Sequence, residues 1–489
     1  MVEFPREDWP VTTRRTHPGV VFAVLAASVM SFSLLQSMSV PTLPLVQEQF
    51  GASQAQASWI VTAQLLAASI ATPIIGRLGD AYGKNRMLVF AVAALAVGAL
   101  VAAVAPTIEV MIAARVIQGI GGGVIPLAFG IIRDEMPEHR RSSAISVTSS
   151  LLAVGFGVGI VVAGPLIDLI GLHWLFVPPA VVAGGAALAA ALVIPTSPVR
   201  ATGGVSIAPA VLLAGWLSCL LLAVSQGPTW GWTSPAVLGF AVAGVVVLLG
   251  WVRAENTARA PVIDLRMMRL KAVWTTHLVA LLVGFSMYAS FGFTPQLLQT
   301  PTASGYGLGL TVTQAGLVML PAAAATFVMG LVATPLSRRI DPRLLVVAAC
   351  GISSTGMALT ATWHDAAWHV AVGVGITSVG IGLVFALLAN LIVAAVPAEQ
   401  TGVATGMNAN LRTMGGAVGA AVATSIVTAT VQPSGFATET GYVVTFAVLS
   451  AVMLLAALAG LLVPAGPQSR RGRSLAAAGA PRPSVLTAR

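Results

Sequence analysis

Uncharged apolar stretches recur along this chain with few interruptions: Met87 to Ala105, Ala180 to Ile194 and Tyr442 to Val463 contain no acidic or basic residue. Several approach the ~20 apolar residues that carry a helix across a bilayer. None shows the strict alternation of barrel strands, and lipid offers no partner to an unpaired backbone, so helices are the expected form. Cutting the stretches at charges, prolines and turn clusters predicts spans near 19–44, 57–77, 87–105, 108–132, 143–167, 175–195, 207–226 and 235–252. Six more follow near 272–296, 311–336, 343–362, 367–395, 401–430 and 441–464, for fourteen in all. The run behind Arg14 and Arg15 begins like a signal peptide but outlasts one, and reads as an uncleaved first span.

Composition supports the same reading, since 57% of residues are hydrophobic and 8% are charged, against roughly 25% charged in soluble domains. The net charge of +9 does not point to nucleic acid, because the basic residues are scattered among short connections and do not share one surface. Their distribution is topological. Arg6, Arg14 and Arg15, then Arg77, Lys84 and Arg86, then Arg133, Arg140 and Arg141 fall on one side of the predicted spans. Arg200, the group Arg253 to Lys271, the group Arg338 to Arg343, and the tail from Arg470 fall on that side too. By the positive-inside rule that side is cytoplasmic, with both termini there and the 227–234 connection outside. An even span number follows, and all but two of the 25 basic residues are accounted for. The two exceptions, Arg115 and Arg412, lie inside predicted spans. Cys219 and Cys350 sit in separate apolar segments and do not suggest a disulfide framework. Arginine far outnumbers lysine, as in GC-rich bacterial genomes, which makes a bacterial inner membrane the expected location.

Landmarks repeat at an offset of about 260 residues. Thr72-Pro73 before one basic connection matches Thr334-Pro335 before another, and Pro137, Gly155 and Gly159 match Pro397, Gly415 and Gly419. The expected organisation is a cytoplasmic tail 1–18, a six-helix bundle 19–195, a linker 196–271 with two extra spans, a second six-helix bundle 272–464, and a disordered cytoplasmic tail 465–489. A monomer is expected.

The most specific motif is Gly76-Arg77-Leu78-Gly79-Asp80-Ala81-Tyr82-Gly83-Lys84-Asn85-Arg86, joining the second and third spans. It resembles the loop motif of the major facilitator superfamily, glycine-x-leucine-alanine-aspartate-x-x-glycine-arginine-lysine, with Gly79 at the alanine position. Glycines permit a tight link between helix ends, and an aspartate beside a helix N-terminus is favoured by the dipole. The resemblance implies a cytoplasmic latch formed by Gly76, Arg77, Asp80, Gly83, Lys84 and Arg86. Read without it, the bases are topogenic charges, which leaves the ordered glycines and the lone acid unexplained.

In the fourth span, Arg115 precedes Gln118-Gly119-Ile120-Gly121-Gly122-Gly123. A bare arginine at that depth costs ~2.5–3.5 kcal/mol even on a lenient insertion scale, so it needs a cavity or polar partners. Resemblance to the family's fourth-helix arginine motif implies proton relay or organisation of the cavity; a fixed strut binding backbone carbonyls is the plainer reading. The fifth span carries Gly155, Gly157, Gly159, Gly164 and Pro165, which approximate the glycine-rich motif of drug-proton antiporters, although Ile160 and Ala163 depart from it. Close helix packing through small residues explains the same pattern.

The fourteen-span layout, Trp230-Gly231-Trp232, Pro261-Val262-Ile263-Asp264-Leu265 and Leu411-Arg412-Thr413-Met414-Gly415-Gly416 resemble the fourteen-helix drug-proton antiporter branch. Trp230 and Trp232 also read as interfacial anchors. The branch's first-helix motif has an aspartate and an asparagine where this chain has Leu35 and Val40. None of the sixteen acids lies deep in a predicted span, which leaves Asp168 and His277 as the nearest candidates for a proton carrier. His277 is equally a helix-end histidine bonded to carbonyls.

Gln36, Met38, Gln64, Gln118, Met287, Tyr288, Phe291, Asn390 and Asn408 are candidate cavity residues, since soft, aromatic and amide surface suits an amphipathic organic substrate. No metal-spaced histidines, cofactor motif or nucleophile with a paired base is present, so neither an enzyme nor a cofactor is expected. The expectation is a secondary transporter that exports small hydrophobic or amphipathic compounds, drugs or natural products, by alternating access. Proton antiport is implied by the resemblance. An uncoupled or lipid-like or organic-anion carrier is the first alternative, and a membrane sensor or scaffold the alternative of another class.

Overall fold

The computed structural model describes residues 17–39, 42–52, 54–195, 206–258, 261–429 and 436–464. The tails carrying Arg6, Arg14, Arg15 and the bases from Arg470, together with Val40, Arg200 and Arg259, lie outside the described residues. Among the described residues, fourteen helices of 17 or more residues follow one another. They are α1 (Pro18–Ser37), α2 (Gln54–Tyr82), α3 (Lys84–Ala103), α4 (Ile108–Glu135), α5 (Glu138–Trp174), α6 (Val177–Val193) and α7 (Ile207–Trp230). After them come α8 (Pro235–Thr257), α9 (Lys271–Gln299), α10 (Val312–Ser337), α11 (Pro342–Thr362), α12 (Ala367–Ala395), α13 (Thr401–Ala429) and α14 (Glu439–Gly460). Helix α4 contains a 3-10 turn at Ile120–Gly123, where its glycines cluster.

Each predicted segment falls on one of these helices, yet among the described residues twelve are long and apolar enough to cross a membrane. Helix α6 has 17 apolar residues, at the short end of what crosses a bilayer, and α13 is long but rich in polar and small residues. Helix α13 is mostly buried against other helices, which removes the need for an apolar surface all round, whereas α6 is apolar throughout and exposes Val181, Leu188 and Leu192.

Two apolar cores organise the helices. One joins residues from Val21 to Ile194, with Ala389 and Val393 added from α12; the other joins residues from Val279 to Val463. A third cluster seats Leu213, Trp216 and Leu217 of α7 and Trp251 of α8 beside Val403, Ala404 and Met407 of α13. The opposite face of α8 is bare, with Leu238, Val242, Val246 and Leu249 all more than half exposed, as lipid contact requires.

The repeated glycines occupy matching places. A side chain on Gly155 or Gly159 of α5 would collide with Ser33, Leu34 or Ser37 of α1. One on Gly415 or Gly419 of α13 would collide with the backbone of Leu281 or Phe285 of α9. Helix α5 thus packs against α1, and α13 against α9. Each also crosses to the other repeat: Gly157 and Gly164 face Ala323 and Thr313 of α10, while Gly402 and Gly406 face Gly76, Thr72 and Pro73 of α2. Small residues let the backbones approach where lipid supplies no hydrophobic drive.

Candidate functional site

The motif expected in a loop is almost entirely helical. Helix α2 continues to Tyr82 and α3 begins at Lys84, so Gly83 alone forms the link, at φ 115°. That backbone conformation suits glycine and strains other residues. Gly76 and Gly79 serve close approach instead of a turn. A Cβ on Gly76 would lie 2.7 Å from the Gly402 carbonyl oxygen, and one on Gly79 would overlap Leu127.

That contact lets Asp80 reach the first turn of α13, where its Oδ2 accepts a hydrogen bond from the Val403 N–H at 3.2 Å. An anion on an otherwise unsatisfied helix N-terminus is favoured by the helix dipole. Lys84 Nζ donates to Asp134 Oδ2 of α4 at 2.8 Å and lies 3.9 Å from Asp80 Oδ1, with all three side chains almost wholly buried. Gly130 provides the channel for the lysine stem, since a Cβ there would stand 2.8 Å from Lys84 Cδ. Arg77 is buried beside this group and acts electrostatically on Asp80 and on Glu255 of α8. Arg86 is exposed in the first turn of α3.

Sequence reasoning counted Arg133 only as a topogenic charge. Its Nη1 donates to the carbonyls of Val396, Val393 and Pro397 at 2.8, 3.0 and 3.2 Å and to Thr401 Oγ1 at 2.7 Å. A basic residue from α4 thereby caps the C-terminal carbonyls of α12. Farther along the same seam, Ser146 Oγ pairs with Thr334 Oγ1 at 2.8 Å and accepts from Asn390 Nδ2 at 2.9 Å. These polar contacts between the repeats cluster at the end bearing the basic connections.

Behind them lies a central cavity of about 40 Å³. Phe32, Gln36, Thr72 and Phe156 line it from the first repeat, and Met287, Tyr288, Phe291, Phe385 and Arg412 from the second. A smaller chamber of about 10 Å³, bounded by Phe129, Ser149, Asn408 and Arg412, continues from it. A water molecule needs roughly 10–15 Å³, so this conformation has room for water but not for an organic substrate. Phe156 stacks on Phe291 with centroids 5.6 Å apart and meets Tyr288 edge-on at 5.9 Å.

The two intramembrane arginines differ. Arg115 is fully buried away from the cavity, its Nη1 bonded to Gln118 Oε1 at 2.8 Å, the Leu35 carbonyl at 3.3 Å and Gln64 Oε1 at 3.4 Å, with its guanidinium 4.6 Å from the Phe176 ring centroid. It ties α1, α2 and α4 together as a strut. Gln64 and Gln118 therefore serve the arginine and do not line the cavity. Arg412 lines both chambers, sits 4.3 Å from the Phe385 centroid and lies beside Tyr288, whose hydroxyl interacts electrostatically with it.

Other candidates are also placed. Met38 belongs to the first apolar core, and Asn390 is bound to Ser146 and the Ala386 carbonyl. His277 is buried with Nδ1 3.1 Å from Asn408 Nδ2, so its partner is a side chain of α13 and not a helix-end carbonyl. Asp168 is exposed on α5, outside both chambers. Gly164 faces α10 one residue before Pro165, which lies inside α5. Trp232 Nε1 donates to Ser425 Oγ of α13 at 2.9 Å, which fastens the α7–α8 connection to the second repeat. Glu255, which the sequence reading left in a connection, is buried in the last turn of α8 and accepts the N–H groups of Val262 and Ile263 at 3.0 Å each.

Comparison with known proteins fits this architecture. The profile of the Major Facilitator Superfamily matches residues 25–420. The chain is 29% identical over 425 residues to a tetracenomycin C resistance and export protein of Streptomyces glaucescens, covering 84% of this chain and 76% of that protein. It is 27% identical to the multidrug efflux pump LfrA of Mycolicibacterium smegmatis, covering 86% and 84% respectively. The crystal structure of the human organic anion transporter MFSD10 (TETRAN) superposes with a TM-score of 0.63 at 18% identity over 92% of this chain and 99% of that one, a likeness of fold.

Proposed function

The chain belongs to the Major Facilitator Superfamily, whose members are transporters and not enzymes, and from that premise we propose that it exports small hydrophobic or amphipathic compounds across a bacterial inner membrane by alternating access. The observation that carries this reading is the cavity lined from both repeats and sealed at the basic end by Asp80 on α13 and Arg133 on the α12–α13 connection. A site shared by two bundles opens to one side when they rock apart there and to the other when they rock back. The relatives described above are an exporter of tetracenomycin C and a multidrug efflux pump, which supports export over uptake.

The organisation we propose is two six-helix bundles, 19–195 and 272–464, with α7 and α8 inserted between them, and fourteen crossings with α6 and α13 included. Matching glycine contacts and the two separate cores support it. The basic end is cytoplasmic, the protein works as a monomer, and protons drive export. Among the described residues the central cavity has no carboxylate in its wall, and the buried acids Asp80, Asp134 and Glu255 all lie at the basic end, which makes that end the proposed route for coupling. Transport by the purified protein in liposomes, with imposed pH gradients and a panel of aromatic acids, amides and cations, tests the reading. Gradient-dependent movement of panel compounds is expected; no movement under any gradient would overturn it.

A further inference from the structure

We infer that the central cavity selects planar aromatic compounds carrying an anionic group of the carboxylate or phenolate kind, with Arg412 as the specificity-determining residue; this rests on the transporter reading above and deepens it.

Arg412 is a buried cation whose surroundings are incomplete. It is 8% exposed, it makes no ion pair with any carboxylate among the described residues, and its Nε has no hydrogen-bond partner there. Its neighbours are the face of Phe385 and the hydroxyl of Tyr288. A buried charge is tolerated when it is paired, and a ring face and one hydroxyl supply only part of what a guanidinium fork can bind. Arg115 of α4 also leaves its Nε and Nη2 without a partner, but its Nη1 is held by three oxygens and it lines neither chamber, so of the two intramembrane arginines Arg412 is the one whose open positions adjoin space that a ligand can enter.

The wall around Arg412 sets the sign of the ligand. Among the described residues, no acid lines either chamber. A cation entering would meet a like charge in a medium that screens it poorly, whereas a carboxylate would complete the fork with two charge-assisted hydrogen bonds. The remaining wall sets the shape. Phe156 from the first bundle lies nearly parallel to Phe291 from the second, at 25°, with Tyr288 edge-on to it. When the bundles part, the two faces of that stack separate and a flat ring takes the vacated space, with Arg412 beside Tyr288 at its edge.

Equilibrium binding to the purified full chain in detergent tests this with anthraquinone-2-carboxylate, its neutral 2-carboxamide and a 2-trimethylammonium analogue. The wild type is expected to bind the carboxylate at least about tenfold tighter than the amide and the cation most weakly. Arg412→Gln should abolish the preference while changing amide affinity by less than about twofold, and Arg412→Lys should restore part of it. A purely structural role would instead lower all three affinities together. Equal wild-type affinities, or a preference that survives Arg412→Gln, would overturn the proposal; should the variants unfold, the wild-type comparison of three probes decides alone. Carboxylate-selective binding without transport would sink the carrier reading and leave this one standing. Transport of amide and cation with no carboxylate preference would do the reverse.

Discussion

The Asp80 carboxylate accepts a hydrogen bond from the backbone N–H of Val403, 323 positions away in sequence, at the point where α2 of the first repeat meets the opening turn of α13 in the second. The meeting depends on two glycines, because side chains at Gly76 or Gly402 would drive the backbones apart and carry Asp80 out of reach. A charged side chain, a helix N-terminus and a pair of missing Cβ atoms therefore form one device. Its removal should free the basic end without disturbing either core.

Asp80→Asn keeps the volume but removes the charge that holds the α13 N-terminus and Lys84. Losing a charge-assisted bond of this kind costs roughly 1–3 kcal/mol, enough to raise the population open at the basic end by about fivefold or more. In a background lacking Cys219 and Cys350, a cysteine at Ser149, which lines the smaller chamber, should label faster from that side, and export should fall while expression and folding persist. Wild-type turnover and labelling in the folded variant would reduce the motif to a topology signal.

Glycine-to-alanine changes should grade by what the new methyl meets. Gly76→Ala and Gly402→Ala place it 2.7 and 2.8 Å from an opposing carbonyl oxygen, an overpacking worth ~1–3 kcal/mol against the closed seam. Gly406→Ala meets backbone at 3.2 Å and should be milder, and Gly184→Ala, with nothing within 4 Å, should leave transport unchanged. Transport rates of the four variants at matched reconstitution check the order; equal losses at Gly184 and Gly402 would remove the contact argument.

Much of the fold was legible because a bilayer makes each buried helix declare itself as an apolar run, and the repeated Gly155/Gly159 and Gly415/Gly419 pairs showed which helix faces matched. The site was legible in part. Composition finds a polar residue within a span but not the rotation of its helix, so Gln36 and Met287 face the cavity while Gln64 and Gln118 turn to Arg115. Arg412 stood out because an intramembrane charge requires a reason. Arg133 did not, because the positive-inside rule already accounted for it and left its four acceptors unsought.

The fourteen-crossing topology places Ser234, at the N-cap of α8, on the opposite face from Ala254 near its end. Single cysteines at these positions in a Cys-free background should react with impermeant reagent from outside at Ser234 and from the cytoplasm at Ala254. Reaction of both from one face would remove the paired insertion and with it the even count.

Glu255 offers the last test, because nothing in the composition separates it from the charged connection that follows. Its carboxylate binds two consecutive amides, Val262 and Ile263, whose side chains are buried in the third apolar cluster with Trp216, Trp251 and Met267. That anchors the turn from α8 towards α9, and Arg77 of the gate motif lies within electrostatic range of the same carboxylate. Glu255→Gln retains one acceptor oxygen and turns its amide NH2 towards a donor, so it should cost ~1–2 kcal/mol; Glu255→Ala leaves both backbone N–H groups unmatched and should cost ~2–4 kcal/mol. Thermal unfolding in detergent should drop in that order. If the inserted pair steadies the gate through this residue, the gate-side labelling at Ser149 should rise with the loss, whereas a fall in stability with unchanged labelling would confine Glu255 to its own turn.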